Sequence, residues 1–119
     1  MSTGKRYINV RDIAELVYDD DTYVREFAGA AIQSFSEFSE SYNEFLLIRD
    51  ETNFRKNGHR IKPVAQMLHI PEIIEEYERA RTLLQENRPE EELQDSARKM
   101  TCIIDDILTE LEEISRGER

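Results

Sequence analysis

Apolar side chains recur every three or four residues along most of the chain, and this spacing restricts the fold more than any other feature of the sequence. The longest series runs from Tyr23 to Leu46, and shorter series follow it toward the C-terminus. Steps of three and four place side chains on one face of an α-helix, whereas a half-buried strand needs strict alternation. Only four glycines and three prolines in 119 residues interrupt such helices. The spacing therefore predicts an all-α protein.

Capping residues and turn residues divide this pattern into five helical segments. Asn9 is placed to cap the first segment, and the acidic turn at 19–21 ends it and caps the second. Pro71 and Pro89 each lie where a helix begins, since proline fits a first helical turn and disfavours helical geometry in the residue before it. The predicted helices cover about 10–17, 22–48, 54–68, 71–84 and 90–115.

Long amphipathic helices that are joined by short turns bury their apolar faces by packing antiparallel. We therefore expect an antiparallel up-down-up-down four-helix bundle, with the short first helix covering one end. The chain should form a single domain over residues 1–119, with an ordered core at about 8–115. The core positions expected on the second helix are Tyr23, Phe27, Ala30, Ala31, Ser34, Phe35, Phe38, Tyr42, Phe45 and Leu46.

Charge and composition exclude several classes of function. The net charge of −10 disfavours binding to nucleic acid or to an anionic membrane surface, because both need a strongly basic face. The longest apolar run, FLLI at 45–48, is too short to cross a bilayer, and the first ten residues lack the apolar core of a signal peptide. Cys102 is the one cysteine, so we expect neither disulfides nor a cysteine-based zinc site, and we expect Cys102 to be a core or boundary residue. These features predict a cytoplasmic protein, which we expect to be a monomer.

Positive charge nevertheless collects around one of the two histidines. The segment NFRKNGHRIKPVAQMLHI at 53–70 places Arg55, Lys56, Arg60 and Lys62 close to His59, with no acidic residue in between.

The helical turn of about 100° per residue predicts which way His59 points. The apolar residues of this helix fall on the side opposite His59, and polar residues share its side. The imidazole is therefore expected to face water. The opposite side holds Phe54, Ile61, Ala65 and Leu68, and the side of His59 holds Arg55, Lys62, Pro63 and Gln66.

An exposed imidazole is a side chain that acts as a nucleophile near neutral pH. Cations beside it disfavour the protonated ring, so a nitrogen lone pair stays free to attack. Lys62, one turn further along, is placed to contact a phosphoryl group on the ring. The sequence contains no glycine-rich phosphate loop. We therefore expect a partner protein to complete the chemistry, and a solvated basic surface without chemistry is the competing interpretation.

A carboxylate-bridged metal site is a further interpretation of so many glutamates, including EIIEEYE at 72–78 and ELEE at 110–113. Such bundle sites need Glu-x-x-His pairs directed inward from facing helices. Lys56 stands three residues before His59 and Gln66 three before His69, so neither pair exists. We reject a metal site and expect the glutamates to form solvated helix faces.

The stretch His59-Arg60-Ile61-Lys62, in the third helix of an acidic helical chain, resembles the phosphoacceptor motif of histidine-containing phosphotransfer (HPt) domains. YDDDTYVREFAGAAIQSF at 18–35 is similar to the family's entry to the preceding helix, and the segment from Asn53 to Leu84 follows its order of acceptor helix, turn and next helix. The resemblance covers nearly the whole chain.

The resemblance implies that His59 is the phosphorylated histidine, that Lys62 stabilises its phosphoryl group, and that Gln66 is a further phosphoryl contact. It also implies a chain without autonomous catalysis or a cofactor of its own, which accepts a phosphoryl group from a receiver-domain aspartate and passes it to another receiver. Mg²⁺ is expected in the partner receiver domain. The partners would be the receiver domains of a hybrid histidine kinase and of a response regulator, which Arg55, Arg60 and Pro63 are expected to contact.

Two positions depart from the family's pattern. Pro63 stands where the family has glycine after the lysine, and because proline lacks an amide hydrogen we expect the helix to bend there. His69 replaces the usual glycine at the helix end, and we expect it to be a helix-end residue and not a second acceptor. The Pro63 departure leaves an alternative open, a helical adaptor module that binds receiver or kinase domains without being phosphorylated.

Overall fold

The computed structural model describes residues 6–117, and the parts of the predicted domain at 1–5 and 118–119 lie outside the described residues. The described residues form five helices and no strand, which confirms the all-α prediction. No helix within 6–117 combines the length and the apolar character that a membrane crossing requires. The helices are α1 (Val10–Leu16), α2 (Asp21–Leu47), α3 (Glu51–Met67), α4 (Pro71–Gln85) and α5 (Glu90–Ser115).

Side chains and prolines at the predicted positions begin the helices. Asn9 accepts a hydrogen bond from the amide of Arg11, and Asp20 accepts one from the amide of Tyr23. Each bond satisfies an amide that has no partner within its own helix. Pro71 is the first residue of α4, and Pro89 is the N-cap of α5.

The N-terminus of α3 differs from the prediction, because the helix begins at Glu51 and not at Phe54. Asp50 is its N-cap and accepts hydrogen bonds from the amide of Asn53 at 3.1 Å and from Asn53 Nδ2 at 2.7 Å. These bonds favour the carboxylate and hold the pKa of Asp50 below its usual range. The apolar spacing missed this turn because its residues are polar.

Four helices end in the same turn, in which a residue other than glycine adopts a positive φ. The amide after that residue donates to the carbonyl five positions back, so each turn is a Schellman motif. His69 is one of these residues, which confirms that it is a helix-end residue. The residues with their φ angles are Tyr18 (57°) after α1, Arg49 (60°) after α2, His69 (56°) after α3 and Asn87 (53°) after α4.

Helices α2 and α4 each pack against both α3 and α5, and α1 packs against α2. The Arg49 side chain joins two of the turns, since it donates to Asn87 Oδ1 at 3.3 Å and to the Arg88 carbonyl at 2.6 Å. The turn after α2 therefore lies beside the turn after α4. The helices enclose one apolar core, to which α5 contributes Leu93, Met100, Ile104, Ile107 and Leu111.

The buried face of α2 is rotated from the predicted one over the first half of the helix. Tyr23 is 57% exposed, and Ala30 and Ser34 are exposed. Val24 and Ala28 are buried instead. Phe27 is half-buried and packs against the core, as predicted. Tyr23 and Val24 are apolar neighbours, so spacing alone does not determine which of the two faces the core. The second half of the stripe is confirmed by the burial of Ala31, Phe35, Phe38, Tyr42 and Leu46.

Two glutamates that were predicted to be solvated are buried. Glu76 is 3% exposed, and its carboxylate accepts hydrogen bonds from Ser96 Oγ at 2.6 Å and from Arg79 Nε at 3.0 Å. Glu110 is 5% exposed, and it accepts from the backbone amides of Tyr7 and Ile8. Buried carboxylates need such donors because water no longer solvates them. The prediction of uniformly solvated glutamate faces was wrong at these two positions.

Cys102 also differs from its prediction, since its side chain is exposed. Met100 and Ile104, two residues before and after it, are both buried. A two-residue step turns a helix by about 200°, so Cys102 faces away from the core.

Candidate functional site

His59 lies in the middle of α3 and is exposed, as the helical geometry predicted. The four residues expected on the opposite side of α3 are buried, with exposures of 0% for Phe54, 4% for Ile61, 0% for Ala65 and 1% for Leu68. The imidazole therefore projects from a helix whose other face is fully packed, and it is accessible to a partner.

The turn of α3 just before His59 is held on both sides. Asn57 is buried, and its Nδ2 donates to the Phe38 carbonyl of α2 at 3.1 Å. On the other side the ring of Tyr77, from α4, occupies the position that a Cβ atom at residue 58 would take. Only glycine permits this approach. The two contacts set the rotation of α3 about its axis and thereby the direction of the residue that follows.

Among the described residues, the four cations around His59 take part in no ion pair. Within residues 6–117, no carboxylate oxygen lies within 4.0 Å of the charged nitrogens of Arg55, Lys56, Arg60 or Lys62. Several cations of the other helices are paired, and Arg88 Nε, for example, lies 2.8 Å from Glu92 Oε2. The exposed face of α3 therefore presents unneutralised positive charge on a chain of net charge −10.

The predicted contacts of the phosphoryl group lie on the same exposed side of α3. Lys62 is half-buried, and Gln66 is exposed one turn further along. Helical side chains lean toward the N-terminus of their helix, so Lys62 leans toward His59, three residues before it.

The residues predicted to contact a partner are also available. Arg55, Arg60 and Pro63 are all exposed. Pro63 lies inside α3, and the helix continues past it to Met67. Because Pro63 has no amide hydrogen, it cannot donate the helical hydrogen bond that the His59 carbonyl would otherwise accept. The bend expected at this point stays a prediction.

The cleft found beside α3, in the part of the chain that the structure describes, is small. A cleft of about 80 Å³ opens between α2 and α3 and is lined by Phe38, Arg60, Ile61 and Val64 among others. Sites for drug-sized ligands usually have volumes of about 300–1,000 Å³. A larger groove of about 530 Å³ lies between α2 and α5 and is lined by no residue of α3. The cleft beside α3 is therefore smaller than such a site.

His69 is separate from this cluster. It is exposed in the turn after α3, ten residues beyond His59, which corresponds to about 15 Å along a helix axis. Over residues 6–117, the structure brings no three of the His, Cys, Asp and Glu side chains into an arrangement that would hold a metal ion.

Two features around the site, one polar and one of packing, were not foreseen from the sequence. Tyr42 is buried, its hydroxyl lies 2.8 Å from Ser96 Oγ, and burial raises its pKa. The Tyr42 ring contacts Phe54, which in turn stacks on Tyr77, so an aromatic series leads from the polar group at Glu76 to the turn before His59. The pairing of Tyr77 with Gly58 was also missed, and the one available signal was a glycine inside an otherwise strong helical pattern.

Comparison of the chain with models of known protein families, with curated proteins and with solved structures finds no match. The function is therefore argued from the geometry of this site.

Proposed function

We propose that this chain is a phosphocarrier of a His–Asp phosphorelay and resembles histidine-containing phosphotransfer domains. On this proposal α2 to α5 form an antiparallel up-down-up-down four-helix bundle that α1 covers at one end. The packing of α2 and α4 against both α3 and α5 supports this arrangement, as does the contact of Arg49 with the turn after α4. The bundle serves to hold one imidazole outward on a rigid helix.

His59 is the proposed acceptor. A neutral ring nitrogen attacks the phosphorus of an aspartyl phosphate, so a P–N bond forms as the P–O bond to the aspartate breaks. The aspartate leaves as a carboxylate, and the other ring nitrogen keeps its proton. Lys62 neutralises part of the charge of the transferred group, and Gln66 is a further contact. Passing the group to a second receiver reverses these steps.

The partner supplies what this chain lacks. Phosphoryl transfer depends mainly on positioning and on neutralising charge. The receiver domain of a hybrid histidine kinase, and that of a response regulator, would bring the aspartate and its Mg²⁺. Arg55, Arg60 and Pro63 would contact the receiver. The chain is then a cytoplasmic, monomeric transfer intermediate and not an autonomous enzyme.

The observation that carries this proposal is an exposed imidazole among four cations that form no ion pair within residues 6–117. Unpaired cations on one face attract an acidic partner and raise its rate of association. They are then available to a transferred anion, since no carboxylate of the described residues is paired with them. A surface that was merely solvated would not need its positive charge gathered around the one imidazole of α3.

The experiment compares wild type with His59→Gln after incubation with a panel of receiver domains phosphorylated by acetyl phosphate. We expect acid-labile, base-stable phosphate on wild type and none on His59→Gln. Because the ring is exposed, the free energy of unfolding should change by no more than about 0.5 kcal/mol. Phosphate that persists on the variant would contradict the assignment of His59, and loss of the fold would contradict its outward orientation.

The adaptor function remains the second candidate. Pro63 and Met67 are exposed on the uncharged end of the same face of α3, and Met67 is 44% exposed. Such an apolar surface supports binding whether or not phosphate is transferred. A receiver that binds wild type and His59→Gln with equal affinity, and phosphorylates neither, would favour the adaptor.

A further inference from the structure

Tyr77 contacts three residues of α3 that precede His59, namely Phe54, Arg55 and Gly58. Its ring stacks on Phe54, with centroids 5.2 Å apart and an interplanar angle of 24°. The same ring fills the space beside Gly58 where any other residue would place its Cβ atom. Tyr77 is 6% exposed, so the ring is enclosed between α3 and α4. One side chain of α4 thus packs against both Phe54 and Gly58, and His59 is the next residue.

The hydroxyl of Tyr77 extends this contact to the backbone. It donates to the Arg55 carbonyl at 3.5 Å, a long hydrogen bond. In an α-helix that carbonyl is the acceptor for the amide of His59, four residues on. Burial raises the pKa of Tyr77, so the hydroxyl keeps its proton and remains a donor. The Arg55 carbonyl, which accepts the hydrogen bond of the His59 amide, therefore also accepts one from a side chain of α4.

The other side of His59 has lost the equivalent restraint. The His59 carbonyl would normally accept the amide of residue 63, and proline has none. Of the two backbone hydrogen bonds that His59 would make within an α-helix, only the one donated by its amide is therefore possible. Contacts on the N-terminal side carry the restraint that the C-terminal side lacks.

We infer that Tyr77 is a positioning residue for His59, which fixes the direction of the imidazole by locking the preceding turn of α3 through the gap at Gly58. This inference rests on the proposed function for its effect on transfer, but its effect on the backbone is independent of that function. In-line transfer inside a docked complex requires the ring at a fixed place and angle. A small free donor approaches an exposed ring from many directions and has no such requirement.

The test uses two phosphoryl donors on the full chain. One is a receiver domain that phosphorylates wild type, and the other is phosphoramidate. Tyr77→Leu removes the ring, Tyr77→Phe removes only the hydroxyl, and Ile107→Val is the control, a buried change on α5, which packs against α2 and α4. The transfer rate at saturating receiver and the KM are measured separately, together with amide hydrogen exchange at His59 and the free energy of unfolding.

We expect Tyr77→Leu to lower the transfer rate at saturating receiver by about tenfold or more, with little change in KM. Its labelling by phosphoramidate should stay within about twofold of wild type, and exchange of the His59 amide should become faster. Tyr77→Phe should keep most of the transfer rate, because the ring still fills the gap. Ile107→Val should change the transfer rate and the hydrogen exchange of the His59 amide by no more than its loss of stability explains.

The inference is overturned if Tyr77→Leu and Ile107→Val alter receiver-dependent transfer equally for equal losses of stability. It is also overturned if Tyr77→Leu slows phosphoramidate labelling as much as receiver-dependent transfer. If no receiver phosphorylates wild type, the proposed function fails, and the exchange measurement alone decides the inference. Equal exchange at His59 in the two variants would then reject it.

Discussion

The same substitution at two glycines should have opposite effects on stability. Gly29 lies in α2 and Gly58 in α3, and both are inside helices. A Cβ atom at 29 would meet nothing within 4 Å, whereas one at 58 would overlap the ring of Tyr77. Gly29→Ala and Gly58→Ala therefore share any gain from helix propensity and differ only in the space available.

The magnitudes follow from these surroundings. Alanine is favoured over glycine in a helix interior by about 0.8–1 kcal/mol, so Gly29→Ala should stabilise the protein by about that amount. Gly58→Ala gains the same but must displace Tyr77, and overpacking of this kind costs about 1–3 kcal/mol. Weakening the Phe54–Tyr77 stack adds about 0.5–1.5 kcal/mol. The net expectation for Gly58→Ala is a loss of about 1–3 kcal/mol.

Urea denaturation followed by circular dichroism measures both variants under the same conditions. The two free energies of unfolding should differ by about 2–4 kcal/mol, which is large compared with the extrapolation error. A Gly58→Ala protein as stable as Gly29→Ala would refute the close approach of α4 to α3. The double variant Gly58→Ala with Tyr77→Leu adds a check, since it should lose less stability than the sum of the two single changes.

Three further expectations concern the ends and the charges of α3. His69→Gly should stabilise the protein by about 0.5–1 kcal/mol, because relief of a left-handed conformation outweighs the added freedom of the unfolded chain. His69→Ala keeps the strained conformation and should not stabilise the protein. Phosphoryl uptake should be unchanged in both, and its loss would make His69 part of the acceptor site. Lys62→Ala should shorten the lifetime of the phosphohistidine or slow transfer by about two- to fivefold. Lys56→Ala removes a side chain that leans away from His59 and should have neither effect. Equal effects of the two substitutions would count against the role of Lys62. Asp50→Asn should abolish one pH dependence. The pKa of Asp50 is lowered in the folded state, so its stabilisation is present above its ordinary value of 3.8 and is lost as the pH falls through the lower folded-state pKa. Wild type should therefore lose stability relative to Asp50→Asn on acidification, and parallel stability curves would contradict this.

Features that depend on neighbours in the sequence could be predicted without the structure. The caps at Asn9 and Asp20 and the helix start at Pro71 were of this kind, because a cap acts on amides two or three residues away. The outward direction of His59 was also local, since the apolar residues of its own helix determine it. These predictions needed only the helical period and the side-chain chemistry.

Features that depend on distant residues could not be predicted in this way. Glu110 is buried because amides more than a hundred residues away, at Tyr7 and Ile8, donate to it. Glu76 depends on Ser96, twenty residues further along. In the sequence both glutamates stand among other acidic residues and have the pattern of a solvated face. Gly58 is similar, because its partner Tyr77 lies on another helix and no spacing rule connects the two.

The uneven charge of α3 also affects how the chain meets other macromolecules. This helix carries four cations and one acidic residue, so the entire acidic excess lies on the remaining helices and turns. The molecule as a whole repels nucleic acids and acidic proteins, and this repulsion is screened over a Debye length of about 8 Å at physiological salt. The exposed face of α3 reverses the sign of the charge locally, so an acidic partner is favoured when it approaches by this face.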